Sequence, residues 1–273
     1  MTRLRHLPWN AVLGLALVGS LLLVILVGAF WTPYNPIAID LAHPFMPPSA
    51  AHWLGSDQFG RDVLSRAMLG ARISFSIALG TVALVIALGS MLGLCAGFLR
   101  GWTDRAIMTV CDAVLAFPGI LLALALIAVL GSNKSSIVIA LSIAYLPSVT
   151  RVVRSAALSI REREYIEASR VAGDAQAYTI MRHVLPNALP AVTVLATSLF
   201  GWAVLSESAL SFLGVGVPPP APTWGNMLSD ARPYMEVASW LSLVPGFCIM
   251  FTLLGVNLLG DALRDYLDPR DRQ

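Results

Sequence analysis

Two acidic residues, Asp112 and Glu207, lie near the ends of long apolar runs, where a charged side chain is costly to bury. Ionisable residues in such positions commonly contact a transported solute, relay protons or pair with an opposite charge. We therefore take both as candidates for lining a path through the apolar part of the protein. Hydration, or pairing with an arginine near the end of the run, is the alternative for each residue.

No pattern in the sequence supports catalysis by this chain. It contains no HExxH motif, no nucleophile elbow and no catalytic pair of carboxylates. The single lysine, Lys134, follows Asn133 and not the glycine of a phosphate-binding loop. Cys95, Cys111 and Cys248 lie in apolar runs without metal-ligand spacing, so we expect small buried side chains. We expect no catalytic residue, no cofactor and no metal site.

The most charged stretch of the chain, residues 161–187, reads REREYIEASRVAGDAQAYTIMRHVLPN. Arg163 and Glu167 have the i,i+4 spacing of a helical ion pair. Gly173 should bend or weaken the helix, and Pro186 should end a second helical stretch. The pattern predicts a helical hairpin, and a solvated hairpin without a special role is the alternative.

Small side chains recur within this stretch at Ala168, Ala172 and Ala175, which are spaced i, i+4 and i+7. On a single helix these positions share one narrow face. Such a face would let another surface approach the helix backbone closely.

The composition indicates the surroundings in which these residues act. Apolar residues of the AVILMFWYC set make up 57% of the 273 residues, and charged residues only 12%. The mean hydropathy is +0.74. So few charges cannot cover the surface of a soluble enzyme, and the net charge of +2 does not suggest nucleic-acid binding. We conclude that the chain is an integral membrane protein.

Six uncharged apolar runs predict the membrane helices, because a bilayer core of about 30 Å needs about 20 residues of helix. They are residues 11–31, 73–99, 113–133, 135–150, 184–206 and 237–260. The first is longer than the apolar part of a signal peptide, about 7–15 residues, so we expect a retained helix. Prolines Pro118, Pro147 and Pro245 should break or kink three of the six.

The basic residues orient these helices, since cytoplasmic segments carry an excess of lysine and arginine. With a cytoplasmic N-terminus, thirteen lie inside: Arg3, Arg5, Arg100, Arg105, Arg151, Arg154, Arg161, Arg163, Arg170, Arg182, Arg264, Arg270 and Arg272. Five lie outside: Arg61, Arg66, Arg72, Lys134 and Arg232. Both termini are therefore predicted to be cytoplasmic.

Two outer segments, 32–72 and about 213–236, are long enough to carry function. Near the end of the first, Val63, Leu64, Ala67, Met68 and Ala71 form an apolar stripe from which Arg61, Asp62, Arg66 and Arg72 point away. This pattern predicts an amphipathic helix on the outer face of the membrane or against a partner. The prolines of 217–222 predict a stiff extended loop, flanked by Trp224 and Tyr234 as interface anchors.

The 161–187 stretch resembles the EAA motif of ABC importer permeases, which reads E-A-A, three residues, G, nine residues, I-x-L-P. Here it is Glu167-Ala168-Ser169, Gly173, then His183-Val184-Leu185-Pro186, with departures at Ser169 and His183. The resemblance implies coupling helices that dock into a cleft of an ATPase subunit. The residues to which it assigns this role are Glu167, Ala168, Ser169, Gly173, Leu185 and Pro186.

Four further stretches resemble the C-type permease subunit of dipeptide, oligopeptide and nickel importers. They are PYNP at 33–36, HWLGSDQFGRDVLSR at 52–66, WGNML-x-DAR at 224–232 and NLLGDALRD at 257–265. The similarity covers about residues 30–269. It implies an all-α integral membrane protein with six transmembrane helices and the type I ABC importer permease fold.

The resemblance also implies a division of the chain. Residues 1–72 would hold the cytoplasmic N-terminus, the first membrane helix and the outer amphipathic segment. Residues 73–265 would form a five-helix core with the coupling helix at about 161–187, and residues 266–273 a cytoplasmic tail.

The implied function is that of a permease subunit of an ATP-driven, binding-protein-dependent importer in the inner membrane. Its partners would be a homologous B-type permease, two ABC ATPases that bind ATP and Mg, an extracytoplasmic substrate-binding protein and lipid, and no nucleic acid. Di- or oligopeptides are the first choice of solute. A nickel chelate or another small solute is the alternative, and an ion-coupled secondary transporter is a more distant one.

Overall fold

The computed structural model describes residues 9–267, and the regular structure in this range is helical. Arg3, Arg5, Arg270, Arg272 and nearly all of the predicted tail 266–273 lie outside the described residues. The helices are α1 (Trp9–Phe30), α2 (Val63–Leu99), α3 (Gly101–Leu115), α4 (Gly119–Leu130), α5 (Lys134–Arg161), α6 (Glu164–Val171), α7 (Gln176–Thr179), α8 (Leu185–Phe212), α9 (Trp224–Ala231) and α10 (Trp240–Leu267).

Five helical segments within residues 9–267 are long and apolar enough to cross a membrane, and a bent pair brings the number up to six. The five are α1, α2, α5, the continuous segment Gln176–Phe212 and α10. The remaining predicted span, residues 113–133, is divided between α3 and α4, which meet at 89° around Pro118. The 12 residues of α4 extend only about 18 Å, less than the bilayer core. Pro147 and Pro245 lie inside continuous helices and break neither of them.

Helix α2 differs most from the prediction, because it begins about ten residues earlier than the expected span. Its 37 residues extend about 55 Å and include the segment predicted to be a separate surface helix. Asp62 caps the helix by accepting a hydrogen bond from the backbone N–H of Ser65 at 2.8 Å. No helix-breaking residue separates the cap from the apolar run, so one helix forms where two were expected.

The close packing of α2 against α5 forms the centre of the bundle and is the most extensive helix pair in the described chain. Gly89, Gly93 and Gly97 repeat every four residues and place the α2 backbone directly against α5. A Cβ atom at Gly93 would lie 2.6 Å from the carbonyl oxygen of Thr150. Small residues at this spacing allow membrane helices to approach closely. This spacing is visible in the sequence as a signal for close helix packing, although the predicted spans did not depend on it.

The segment before α2 and the helix α9 pack over the first turns of α2. Trp224, which was predicted to anchor in the membrane interface, is instead buried and donates a hydrogen bond from Nε1 to the carbonyl of Ala67 at 3.1 Å.

Of the three cysteines, Cys111 is buried as expected, whereas Cys95 and Cys248 are half-buried.

Candidate functional site

The 161–187 loop contains two short helices joined by a tight turn. Helix α6 ends at Val171, and α7 begins at Gln176. Gly173 lies between them with φ of +84°, a left-handed conformation that glycine adopts without strain. A Cβ atom at this position would meet no atom within 4 Å, so the need for glycine comes from the backbone and not from lack of space.

Ser169 links the two helices through its buried side chain. Its hydroxyl donates to Oδ2 of Asp174 at 2.7 Å, and its oxygen lies 3.1 Å from Oγ1 of the buried Thr179. The backbone N–H of Asp174 also donates to the carbonyl of Ser169 at 3.2 Å. The serine that departs from the motif is therefore a hydrogen-bonding residue and not only a small one.

The loop is anchored on one side and open on the other. Ile166 and Val184 are fully buried and belong to the same apolar cluster as Phe98 of α2. Glu167 and Ala168 are exposed, and Val171 is 85% exposed. The outer side of the loop is thus a surface of mixed polarity on which no part of the described chain packs.

Three expectations for this loop were wrong. Pro186 does not end a second helical stretch but lies in the first turn of α8, within the continuous segment Gln176–Phe212. No ion pair joins the described side chains of Arg163 and Glu167. These two residues are linked instead through the backbone, where the N–H of Glu167 donates to the carbonyl of Arg163 at 3.4 Å. Ala175 does not share a face with Ala168 and Ala172, since the turn at Gly173 ends the helix before it.

A π-helical segment, Ile180–Val184, joins α7 to α8. The backbone N–H of Leu185 donates to the carbonyl of Ile180, five residues back. Pro186 follows near the start of α8 and has no N–H to continue the usual pattern. Leu185 is half-buried and Pro186 is exposed. Single π-helical turns are often found at functional sites.

Asp112 lies on α3 and forms an ion pair with α5. Its Oδ1 accepts a hydrogen bond from Nη2 of Arg151 at 2.6 Å, and the two side chains are 62% and 51% exposed. A second pair, which the sequence analysis did not consider, joins the same helices: Asp104 accepts two hydrogen bonds from Arg154, one of them at 2.6 Å from Nη2. Together these pairs hold α3 against α5.

Glu207 is fully buried, five residues before the end of α8 and not at its end as expected. Its Oε1 accepts a hydrogen bond from Ser211 at 2.7 Å, and its Oε2 has no hydrogen-bond partner in the described part of the chain. A side chain with no exposed surface cannot contact a solute in this conformation. Lining a path by Glu207 would require a different conformation.

Of the charged residues predicted to point away from the apolar stripe, Arg61, Asp62 and Arg66 are buried inside the protein and not on its surface, whereas Arg72 is exposed. Asp57 accepts a hydrogen bond from Nε of Arg61 at 2.6 Å and others from the backbone N–H groups of Phe59 and Arg61 at 2.9 Å. Nε of Arg66 lies 3.4 Å from Asp57. Opposite charges and backbone donors thus replace the water that these groups lose on burial.

Asp230 of α9 completes this group from the other side. Its Oδ2 lies 3.8 Å from Nη2 of Arg66. Partial burial raises the pKa of Asp230, an effect that the nearby guanidinium of Arg66 opposes. The guanidinium group of Arg66 therefore compensates the negative charge of Asp230 only in part.

Comparison with known proteins gives three kinds of similarity. Residues 89–273 match the family described as binding-protein-dependent transport system inner membrane component. The dipeptide transport system permease protein DppC of Alkalihalophilus pseudofirmus is 41% identical over 95% of this chain and 86% of the relative. The glutathione transport system permease protein GsiD of Escherichia coli is 41% identical over 98% of this chain and 88% of the relative.

A crystal structure of the MetNI methionine ABC transporter, in an inward-facing conformation, aligns with a TM-score of 0.62. The alignment covers 74% of this chain and 96% of that chain at 17% identity. At this identity the likeness establishes the fold alone, which is that of the membrane subunit of a type I ABC importer.

Proposed function

The chain belongs to the family of binding-protein-dependent transport system inner membrane components, and we propose that it is a permease subunit of an ATP-driven importer of di- or oligopeptides. The observation that carries the proposal is similarity over nearly the whole chain to permeases named for a dipeptide and for glutathione. This similarity favours a peptide over a nickel chelate. The several apolar membrane helices agree with a multi-pass membrane subunit.

In this proposal the 161–187 loop receives an ATPase subunit, and ATP and Mg bind only to the two ATPase partners. The support is structural: Glu167, Ala168 and Val171 are exposed on a loop that Ile166 and Val184 anchor to the bundle. A force on α6 would therefore reach α2 and α5 through packed side chains and not through a free linker.

The path for the solute would form between this chain and a homologous B-type permease. The exposed pair of Asp112 and Arg151 supports this arrangement, because charged side chains on an otherwise apolar membrane bundle need water or protein beside them. A face covered by a second permease and an aqueous path meets that need.

The proposed orientation places both termini and the 161–187 loop in the cytoplasm. Segments 32–62 and 213–236 would then face outward, towards the substrate-binding protein. A cysteine replacing the exposed Gln176 should react with an impermeant thiol reagent only after the cells are permeabilised, and one replacing the exposed Leu41 should react in intact cells. The reverse pattern would contradict the orientation.

Uptake measurements test the transport function directly. The chain would be expressed with its permease, ATPase and binding-protein partners in a bacterium that lacks its own peptide importers. We expect uptake of a radiolabelled dipeptide that disappears when the ATPase phosphate-binding lysine is replaced. Uptake of a nickel chelate with no uptake of peptides would contradict the peptide assignment.

Glu167→Lys tests the docking role of the loop within the same system. The charge reversal should abolish uptake at normal membrane abundance, because Glu167 is exposed on the face assigned to the ATPase. Asp265→Lys is the matched control, since Asp265 is also an exposed carboxylate but lies near the end of α10, outside the 161–187 loop. Equal uptake by the two variants would argue against docking at Glu167.

A further inference from the structure

A cavity of about 670 Å³ lies at the end of the bundle opposite the 161–187 loop, beside the first turns of α2. Small-molecule sites commonly enclose about 300–1,000 Å³. The turn before α2, the proline-rich loop and α9 form its walls. Residues that line it include Phe59, Arg61, Arg66, Pro219, Asn226 and Asp230.

Two buried guanidinium groups border this cavity. The side chains of Arg61 and Arg66 are only 9% and 5% exposed. Arg61 is well held, since its Nε donates to Asp57 at 2.6 Å and its guanidinium lies 4.7 Å from the centre of the Phe59 ring. Arg61 therefore keeps a fixed place in the wall.

Arg66 is held much less well. Its carboxylate neighbours are 3.4 Å and 3.8 Å away, whereas charge-assisted hydrogen bonds are typically about 2.7–2.9 Å long. Its Nη1 is buried with no hydrogen-bond partner in the described part of the chain. An unpaired donor on a buried charge is costly, so the arrangement favours an additional acceptor. Because Nη1 is itself buried, such an acceptor would reach it only after the Arg66 side chain turns towards the cavity.

We propose that this cavity binds the C-terminal carboxylate of a peptide and that Arg66 is its principal donor. A guanidinium is planar and always charged, and it matches a carboxylate with two parallel hydrogen bonds. The cavity volume leaves room for the rest of a short peptide against the prolines of the opposite wall. This inference rests on the proposed peptide transport and adds to it a binding site on the permease.

The carboxylate of Asp230 competes with a peptide carboxylate for the guanidinium group of Arg66. Its side chain is 46% exposed at the cavity, and its carboxylate is the anion nearest to Nη2 of Arg66 on the α9 side. A peptide carboxylate that binds Arg66 must displace or approach this charge. Removal of the Asp230 charge should therefore strengthen binding, and removal of the Arg66 charge should weaken it.

Photolabelling of the complete transporter tests the site. The complex would be purified in lipid nanodiscs without its binding protein and irradiated with a dipeptide of glycine and photoleucine, and the labelled residues would be mapped by mass spectrometry. We expect saturable labelling within 58–61 or 216–221. Free Gly-Leu should compete about tenfold better than Gly-Leu amide, because the amide loses a charge-assisted hydrogen bond.

Variants of opposite expected effect complete the test. Arg66→Gln should reduce labelling about tenfold, and Asp230→Asn should increase it several-fold. Arg72→Gln is the matched control, because Arg72 lies on the same helix, is exposed and does not line the cavity. If Arg66→Gln fails to assemble, the increase expected for Asp230→Asn decides the question.

The site is refuted if the cavity is not labelled, if the amide competes equally, or if Asp230→Asn labels no more than wild type. Crosslinking of residues 216–221 to an acidic residue of the binding protein, without peptide labelling, would assign the cavity to docking instead. Peptide uptake by the same complex separates the two proposals. Uptake without cavity labelling refutes only the site, whereas absence of peptide uptake by an intact complex refutes the transport assignment.

Discussion

The hydroxyl group of Ser169 donates a hydrogen bond to Oδ2 of Asp174, 2.7 Å away, across the turn that separates α6 from α7. The same hydroxyl lies 3.1 Å from Oγ1 of Thr179, which is buried beneath the turn. One side chain therefore holds both ends of the turn whose conformation Gly173 makes accessible. The exposed surface of the 161–187 loop depends on this contact for its shape.

Ser169→Ala should loosen the loop without unfolding the protein. The substitution removes the links to Asp174 and Thr179, and a typical hydrogen bond contributes about 0.5–1.5 kcal/mol. We expect faster hydrogen exchange in residues 173–179 and a partial loss of uptake per ATP hydrolysed. Ser159→Ala, at an exposed position on α5, is the control. Unchanged exchange in Ser169→Ala would show that the hydroxyl is not needed.

Gly173→Asp should abolish coupling while leaving the membrane helices intact. A side chain at φ of +84° costs about 1–2 kcal/mol, and it projects into open space on the exposed side of the loop. We expect normal membrane abundance, lost uptake and ATP hydrolysis that loaded binding protein no longer stimulates. Gly246→Ala, where a Cβ atom also meets no neighbour, is the control within a helix. Wild-type uptake by Gly173→Asp would make the loop an ordinary solvated hairpin.

Gly93→Val should disrupt assembly of the bundle itself. Even its Cβ atom would lie 2.6 Å from the carbonyl of Thr150 and 2.7 Å from the side chain of Val153, so α2 and α5 would have to separate. Overpacking of this kind costs about 1–3 kcal/mol or more. Membrane abundance and recovery of the complex should both fall, whereas Gly80→Ala, with nearest atoms 3.5 Å away, should be tolerated. Normal assembly of Gly93→Val would argue against the close contact.

The two ion pairs between α3 and α5 should differ in strength. Asp104 is 18% exposed and takes two hydrogen bonds from Arg154, so Asp104→Asn should destabilise the complex by about 1.5–3 kcal/mol. Asp112 and Arg151 are more than half exposed, so Asp112→Asn should cost about 0–1 kcal/mol. Thermal unfolding of the purified complexes compares the two, and equal losses would contradict the difference.

The raised pKa of Asp230 predicts a pH-dependent effect of Asp230→Asn. A carboxyl whose folded-state pKa lies above its unfolded value of about 3.9 favours folding in its neutral form. This contribution is present below the unfolded pKa and is lost as the pH rises through the raised pKa. In thermal unfolding of the purified complexes, Asp230→Asn should therefore unfold at a higher temperature than wild type near pH 7. The difference in unfolding temperature should shrink towards pH 4. A constant difference across this range would exclude titration of Asp230 as its cause.

Much of the fold could be predicted from the sequence, because a membrane imposes strong and local requirements. The apolar runs are as long as a bilayer is thick, and this length alone identified the spans corresponding to α1, α5, α8 and α10 to within several residues at most ends. The 161–187 loop was recognisable for a similar reason, since the motif depends on residue types at fixed spacing. The spacing of Gly89, Gly93 and Gly97 was also visible in the sequence, and such spacing indicates close packing of two membrane helices.

Only the tertiary structure decided which charged side chains are buried and which are exposed. The stripe after Arg61 correctly marked the apolar side of a helix, but periodicity does not say what covers the opposite side. In the folded chain Asp57 and α9 cover it, so Arg61 and Arg66 became buried parts of a cavity wall instead of surface charges. Glu207 was likewise placed at an open helix end, yet its surroundings enclose it completely. Burial of a charge depends on partners distant in the chain, whereas the length of an apolar run depends only on its neighbours.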